Sequence, residues 1–239
     1  MKHIFFSVLI ASVFFSSCRF VEGQKIKGDG NVAKDQRSVS GFTGVETNGL
    51  VDIIVMPGDF KVVVESDQNI IPYIVTEVIN NRLVVHFKED FYSFNYTSAK
   101  VYVTAPTLNV FETHGSGNIT SDGKFSSGER TEITVGGSGD IKLELSAPAI
   151  ESTISGSGNI TLAGTTKDFS SEINGSGDMN AFDLKAEDVK TSVHGSGNTQ
   201  VSASVKLDAE IYGSGDVDYR GAPQVSSSIH GSGAVKPSN

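Results

Sequence analysis

Through the second half of the chain apolar and polar residues alternate with period two, and a Gly-Ser-Gly triplet interrupts the alternation at regular intervals. The residue two positions before each triplet is Thr113, Val135, Ile154, Ile173, Val193, Ile211 or Ile229, all β-branched as strands prefer. After the triplet comes Asn118, Asp140, Asn159, Asp178, Asn198, Asp216 or Ala234. The next residue is Ile119, Ile141, Ile160, Met179, Thr199, Val217 or Val235, and two residues further Leu143, Leu162, Ala181, Val201 and Tyr219 share its face. The pattern predicts strand, tight corner, strand. Glycine suits the corner because it alone takes positive φ without steric cost, and the following Asn or Asp bonds to nearby backbone.

The seven triplets begin at Gly115, Gly137, Gly156, Gly175, Gly195, Gly213 and Gly231, so successive copies lie 22, 19, 19, 20, 18 and 18 residues apart. A period of about 20 residues with glycine at a fixed place predicts an all-β fold, a stacked β-solenoid resembling a parallel β-helix. Each unit leaves its apolar face to be covered by its neighbours.

Glycine-rich repeats with recurrent aspartate bind calcium in some β-rolls. Here Asn and Asp alternate, so carboxylates on a one-rung-per-repeat stack stand two rungs apart, about 9.6 Å. Calcium ligands lie within about 2.6 Å of the ion, so such a pair cannot share one, and turn capping is the favoured role. The residue before the triplet is His in three repeats, His114, His194 and His230. They too fall on separated rungs, and no Cys or adjacent His completes a tetrahedral set, so the expectation is no metal and no cofactor. A phosphate loop needs a following Lys-Ser/Thr on a helix, and a nucleophile elbow needs a strand-to-helix turn; the triplets have neither.

Upstream, Leu50 to Met56, Lys61 to Ser66, Ile74 to Val78, Arg82 to Phe87 and Lys100 to Thr104 are rich in Val and Ile and read as strands. Pro57-Gly58-Asp59 and Asn80-Asn81 read as turns, and Pro72 marks a helical or irregular connection. Phe91, Tyr92, Phe94 and Tyr96 form a dense aromatic run. Aromatic faces stack on sugars and anchor partners, which makes Tyr92, Phe94 and Tyr96 candidate ligand-binding residues. Alternation also puts these three on one face, which favours packing over the solenoid end.

Net charge is -9, and no basic cluster is available to neutralise phosphates, which argues against nucleic-acid binding. Lys2, the apolar run from Ile4 to Phe15, and Ser16-Ser17-Cys18 resemble a lipoprotein signal. The run is too short to span a bilayer. Small residues before a lone cysteine resemble the bacterial lipobox, with Phe15 where leucine is usual, so Cys18 is the expected lipid attachment site and membrane link. A single cysteine also excludes an intrachain disulfide. The expected organisation is a signal peptide at 1–17, tether and lead-in at 18–40, an N-terminal β module at 41–112 and the repeat solenoid at 113–235.

Gly41-Phe42-Thr43-Gly44-Val45, Leu50-Val51-Asp52-Ile53-Ile54-Val55, Pro57-Gly58, Lys61-Val62-Val63-Val64-Glu65 and Asn69, followed by repeated Gly-Ser-Gly-Asn/Asp-Ile, resemble the putative autotransporter adhesin head GIN domain family of Bacteroidetes. The resemblance covers residues 26–235. It implies a two-part all-β solenoid on an envelope protein and no particular set of binding residues. The expected function is a non-catalytic binding or adhesion module with a glycan or protein ligand. The alternatives are a periplasm-facing scaffold and a polysaccharide-active enzyme on a β-helix. Regular repeats without a long insertion argue against the enzyme. Arg19 after the cysteine favours the outer membrane, and acidic residues beyond Glu22 are sparse there, which leaves surface and periplasmic faces both open.

Overall fold

A computed structural model describes residues 25–88 and 93–238. Strands β1 (Lys25–Lys27), β2 (Val32–Arg37), β3 (Gly44–Gly49), β4 (Asp52–Pro57) and β5 (Lys61–Asp67) lead to a short 3-10 helix at Ile71–Tyr73. Then come β6 (Ile74–Ile79), β7 (Arg82–Phe87), β8 (Ser93–Asn95), β9 (Ala99–Ala105), β10 (Val110–Gly115), β11 (Ile119–Ser126) and β12 (Thr131–Val135). The remaining strands are β13 (Ile141–Gly156), β14 (Ile160–Gly175), β15 (Met179–Gly195), β16 (Thr199–Gly213), β17 (Val217–Arg220), β18 (Gln224–Gly231) and β19 (Val235–Pro237). The fold is an all-β solenoid of stacked parallel coils, as the repeat predicts, and contains no α-helix among the described residues.

Each long strand contains both legs of a coil. In β13 the inward residues Ile141, Leu143, Leu145 and Ala147 alternate with outward ones, then Pro148 and Ala149 interrupt the alternation before Ile150, Ser152 and Ile154 turn inward. The same skip falls at Lys167-Asp168 in β14 and Glu187-Asp188 in β15. Period-two side chains reach a common interior from both legs only if the phase slips once at the bend. The Gly-Ser-Gly triplet makes the other corner, and the inward rows of both legs join one hydrophobic core.

The coil stack begins earlier than the triplets do. Strand β3 pairs in parallel with β10, with Gly49 opposite Gly115, and β4 pairs with β11, with Ile53 opposite Ile119. Gly49-Leu50-Val51-Asp52 therefore turns the corner of a coil that lacks the triplet. Beyond it β7 and β9 add in parallel to β3 and β4, and the ladder then turns antiparallel through β6 on β7, and β5 on β9 and β2. Asn80 and Asn81, with φ of 49° and 63°, make the β6–β7 turn, and the region around Pro72 is the 3-10 helix. At the opposite end Val225 and Ile229 continue inward rows but are 39% and 42% exposed.

Candidate binding surface

Both glycines of the triplet are fixed by backbone approach between coils. A Cβ on Gly175 would lie 2.2 Å from the Gly156 carbonyl oxygen, and one on Gly177 would lie 1.9 Å from that of Gly158. The first of the pair has positive φ in every triplet but that at Gly137, 150° at Gly175, and the second in none, so conformational freedom explains one glycine and close approach explains both. The serine amide then donates to the carbonyl of the coil before, as in Ser176 to Gly156 at 2.9 Å.

The Asn/Asp position forms a continuous hydrogen-bonded ladder. Each Oδ1 accepts the backbone amide of the same position one coil on: Asp52 from Asn118, Asn118 from Asp140, Asp140 from Asn159, Asn159 from Asp178, and so on to Asp216 from Ala234. The Asn side-chain amides add a second bond to the preceding carboxylate, Asn159 to Asp140 at 2.9 Å and Asn198 to Asp178 at 3.2 Å. Alternation thus supplies a donor between every two carboxylates, and turn capping is the role these residues perform. At the end of the ladder Lys236 donates to Asp216 at 2.7 Å, and with the Ala234 amide it holds that carboxyl below its ordinary range.

His194, Tyr212 and His230 occupy one outward row, with ring centroids 4.8 and 4.9 Å apart in near-parallel stacks. The two imidazoles are separated by a full coil, so they do not converge on one ion. His114 lies farther along this row, beyond which Asn48 and His86 continue it, and it belongs to a group that sequence spacing does not reveal: Glu46, Glu112 and His114 present ligand-type atoms within 4.8 Å of one another. Arg82 reaches Glu112 at 3.2 Å and Glu46 at 3.9 Å, so its guanidinium already supplies positive charge to both carboxylates.

Cys18 and Tyr92 lie outside the described residues. Phe94 and Tyr96 are half-buried and pack against the core, while Ser93 and Asn95 beside them face outward. The Phe94 ring stacks on Phe87 at 4.2 Å, Tyr96 meets the same ring at 5.6 Å, and the Tyr96 hydroxyl donates to the Leu50 carbonyl at 3.4 Å. Burial, and then the Asp52 charge, raise the Tyr96 phenol above its usual pKa.

A different part of the outer surface concentrates unused polar capacity. Arg220 at the end of β17 lies over the ring of Phe182 on β15, with Cζ 4.0 Å from the ring centroid. Troughs of about 430 and 420 Å³ lie on either side, and Arg220 lines both. Thr161, Asn180 and Gln200 stand in one row along the first trough, coil above coil.

No helix among the described residues is long and apolar enough to cross a membrane. No curated relative matches the chain. Among solved structures, a putative adhesin from Bacteroides fragilis has 22% identity and a TM-score of 0.83 over 89% of this chain and 100% of its own. A putative lipid binding protein from Parabacteroides distasonis has 28% identity and a TM-score of 0.76 over 90% of this chain and 100% of its own. A putative adhesin from the same organism has 28% identity and a TM-score of 0.72, again over 90% of this chain and 100% of its own. The family model described as putative auto-transporter adhesin, head GIN domain, matches residues 41–223, and the chain belongs to that family.

Proposed function

We propose that this protein is a non-catalytic binding module of the bacterial cell envelope, tethered to the outer membrane by a lipid on Cys18. The observation that carries the reading is the regular outer surface: outward side chains repeat coil after coil, as in Thr161, Asn180 and Gln200. A repeating surface suits an extended glycan or protein lying along the stack better than a small substrate. Membership of an adhesin-named family and relatives named as adhesins support an envelope location and a binding role. The carboxylates that recur with the repeat are committed to corner amides, which argues against their use as paired catalytic acids.

Two measurements test this. Cys18→Ser is expected to move the protein from the membrane fraction to the soluble fraction; unchanged fractionation defeats the anchor. Protease added to intact cells is expected to remove the protein. Protection until lysis favours a periplasm-facing scaffold, a reading supported by the sparse acidic residues after Cys18.

A further inference from the structure

We propose that the Arg220–Phe182 pair and the adjoining row Thr161, Asn180 and Gln200 form a recognition site for an acidic polysaccharide, with Arg220 taking a sugar carboxylate. This rests on the reading of the protein as a binding module and names its ligand class and its site.

The regular row Thr161, Asn180 and Gln200 ends at the place where the stack loses its register. Between β14 and β15, Thr161 pairs with Asn180 and Ala163 with Asp183, so Ala181 and Phe182 together face Leu162. Between β15 and β16 the register jumps from Ala181 opposite Val201 to Lys185 opposite Ser202. A bulge re-aims the side chains around it and recurs beside binding sites. Here it turns the Phe182 ring outward under Arg220, which pairs with Ser202 at the end of its own strand.

The guanidinium is held and yet unspent. Lying over Phe182, the exposed Arg220 side chain has no ion-pair or hydrogen-bond partner among the described residues, although the chain carries a net charge of -9. A guanidinium presents a rigid planar fork matched to a carboxylate, and contact with the ring leaves the edges of that fork available. Thr161, Asn180 and Gln200 likewise spend no side-chain hydrogen bond on another described residue. They offer neutral donors and acceptors at intervals of about 4.8 Å, which is the chemistry sugar hydroxyls require.

Lys142 and Lys185 border the two troughs, as do Glu144, Asp183 and Glu187, so the acids offset the two lysines and Arg220. Selectivity for an anion therefore falls to the pinned Arg220 rather than to a broad positive field. An acidic peptide is disfavoured because the site lies on the face of paired strands, whose backbone groups are already used in the ladder. Strand addition, the usual source of peptide affinity on a sheet, needs a free edge.

The test uses the purified protein and calorimetric titration with polygalacturonate, neutral dextran and polyglutamate. Polygalacturonate is expected to bind more tightly than either comparator. Arg220→Ala is expected to weaken it about tenfold or more, the scale of one charge-assisted contact. Arg220→Lys, which keeps charge but loses the fork, is expected to restore only part of the loss. Arg130→Ala, on another part of the surface, leaves binding unchanged, and circular-dichroism melting confirms that each variant is folded. Four results overturn the proposal: no binding of polygalacturonate, equal or tighter binding of dextran, equal or tighter binding of polyglutamate, or full binding by a folded Arg220→Ala. Fractionation and protease accessibility judge the envelope-module reading separately, so the two fail independently.

Discussion

Asp67 accepts both the backbone amide and the hydroxyl of Thr97, at 2.6 and 3.0 Å, and thereby ties the end of β5 to the start of β9. The Gly30 amide adds a third bond at 2.9 Å, so the same carboxylate also fixes the turn before β2.

The Thr97 amide, helped by the Thr97 hydroxyl and the Gly30 amide, outweighs desolvation and holds the Asp67 carboxyl below its ordinary range. Its folded pKa is thus below the unfolded value of about 3.9, so its stabilising effect is full above that value. The effect is lost as pH falls through the folded pKa. Asp67→Asn is expected to melt lower than the wild type at pH 7, with the gap narrowing below about pH 4. Thermal melts of both proteins across pH 2.5 to 7 check this, and a gap independent of pH counts against it.

The corner glycines give a prediction with an internal control. Gly175→Ala adds a Cβ 2.2 Å from the Gly156 carbonyl oxygen at a φ of 150°. The expected loss is about 3 kcal/mol or more, from backbone strain and coil separation together. Gly128→Ala meets nothing within 4 Å and is expected to stay within about 0.5 kcal/mol of the wild type. Urea unfolding of the two variants separates close approach from loss of glycine flexibility in general.

Much of the fold is legible in the sequence because the period-two pattern and the triplet act locally. Asn80-Asn81, Pro57-Gly58-Asp59 and the β-branched run before each triplet each state their own conformation. The corner at Gly49-Leu50-Val51-Asp52 is not legible, because only the opposition of Gly49 to Gly115 identifies it as one of the repeats. The bend at Pro148-Ala149 is equally hidden, since a one-residue slip of phase resembles ordinary noise in an alternating pattern. Arg220 and Phe182 come together only through a register jump. The 20-residue spacing between Gly175 and Gly195, longer than its neighbours, is the trace that this leaves in the sequence.

The Asn/Asp ladder predicts an asymmetry between two similar substitutions. Asn159→Asp keeps the acceptor for the Asp178 amide but removes the donor to Asp140 and sets three carboxylates in a row. A loss of about 1 kcal/mol at neutral pH is expected, shrinking at high salt because the position is partly solvated. Asn159→Ala removes donor and acceptor without adding charge, so its similar loss is expected to be insensitive to salt. Melting in 0.05 and 1 M sodium chloride discriminates them, and equal salt responses defeat the charge-alternation account.

The aromatic patch separates packing from ligand binding. Phe94 stacks on Phe87 and adjoins the core, so Phe94→Ala is expected to cost about 1 to 3 kcal/mol, less than a fully buried phenylalanine. Tyr96→Phe keeps the ring against Phe87 and loses only a 3.4 Å hydroxyl contact, so a change within about 0.5 kcal/mol is expected. Tyr96→Ala removes the ring as well and falls near the Phe94 variant. If the rings serve packing, stability tracks ring loss, and polysaccharide titrations of the folded variants match the wild type. Unchanged melting with lost binding would instead return Phe94 and Tyr96 to the ligand surface, because a ring that holds the coil stack together cannot be removed without cost to stability.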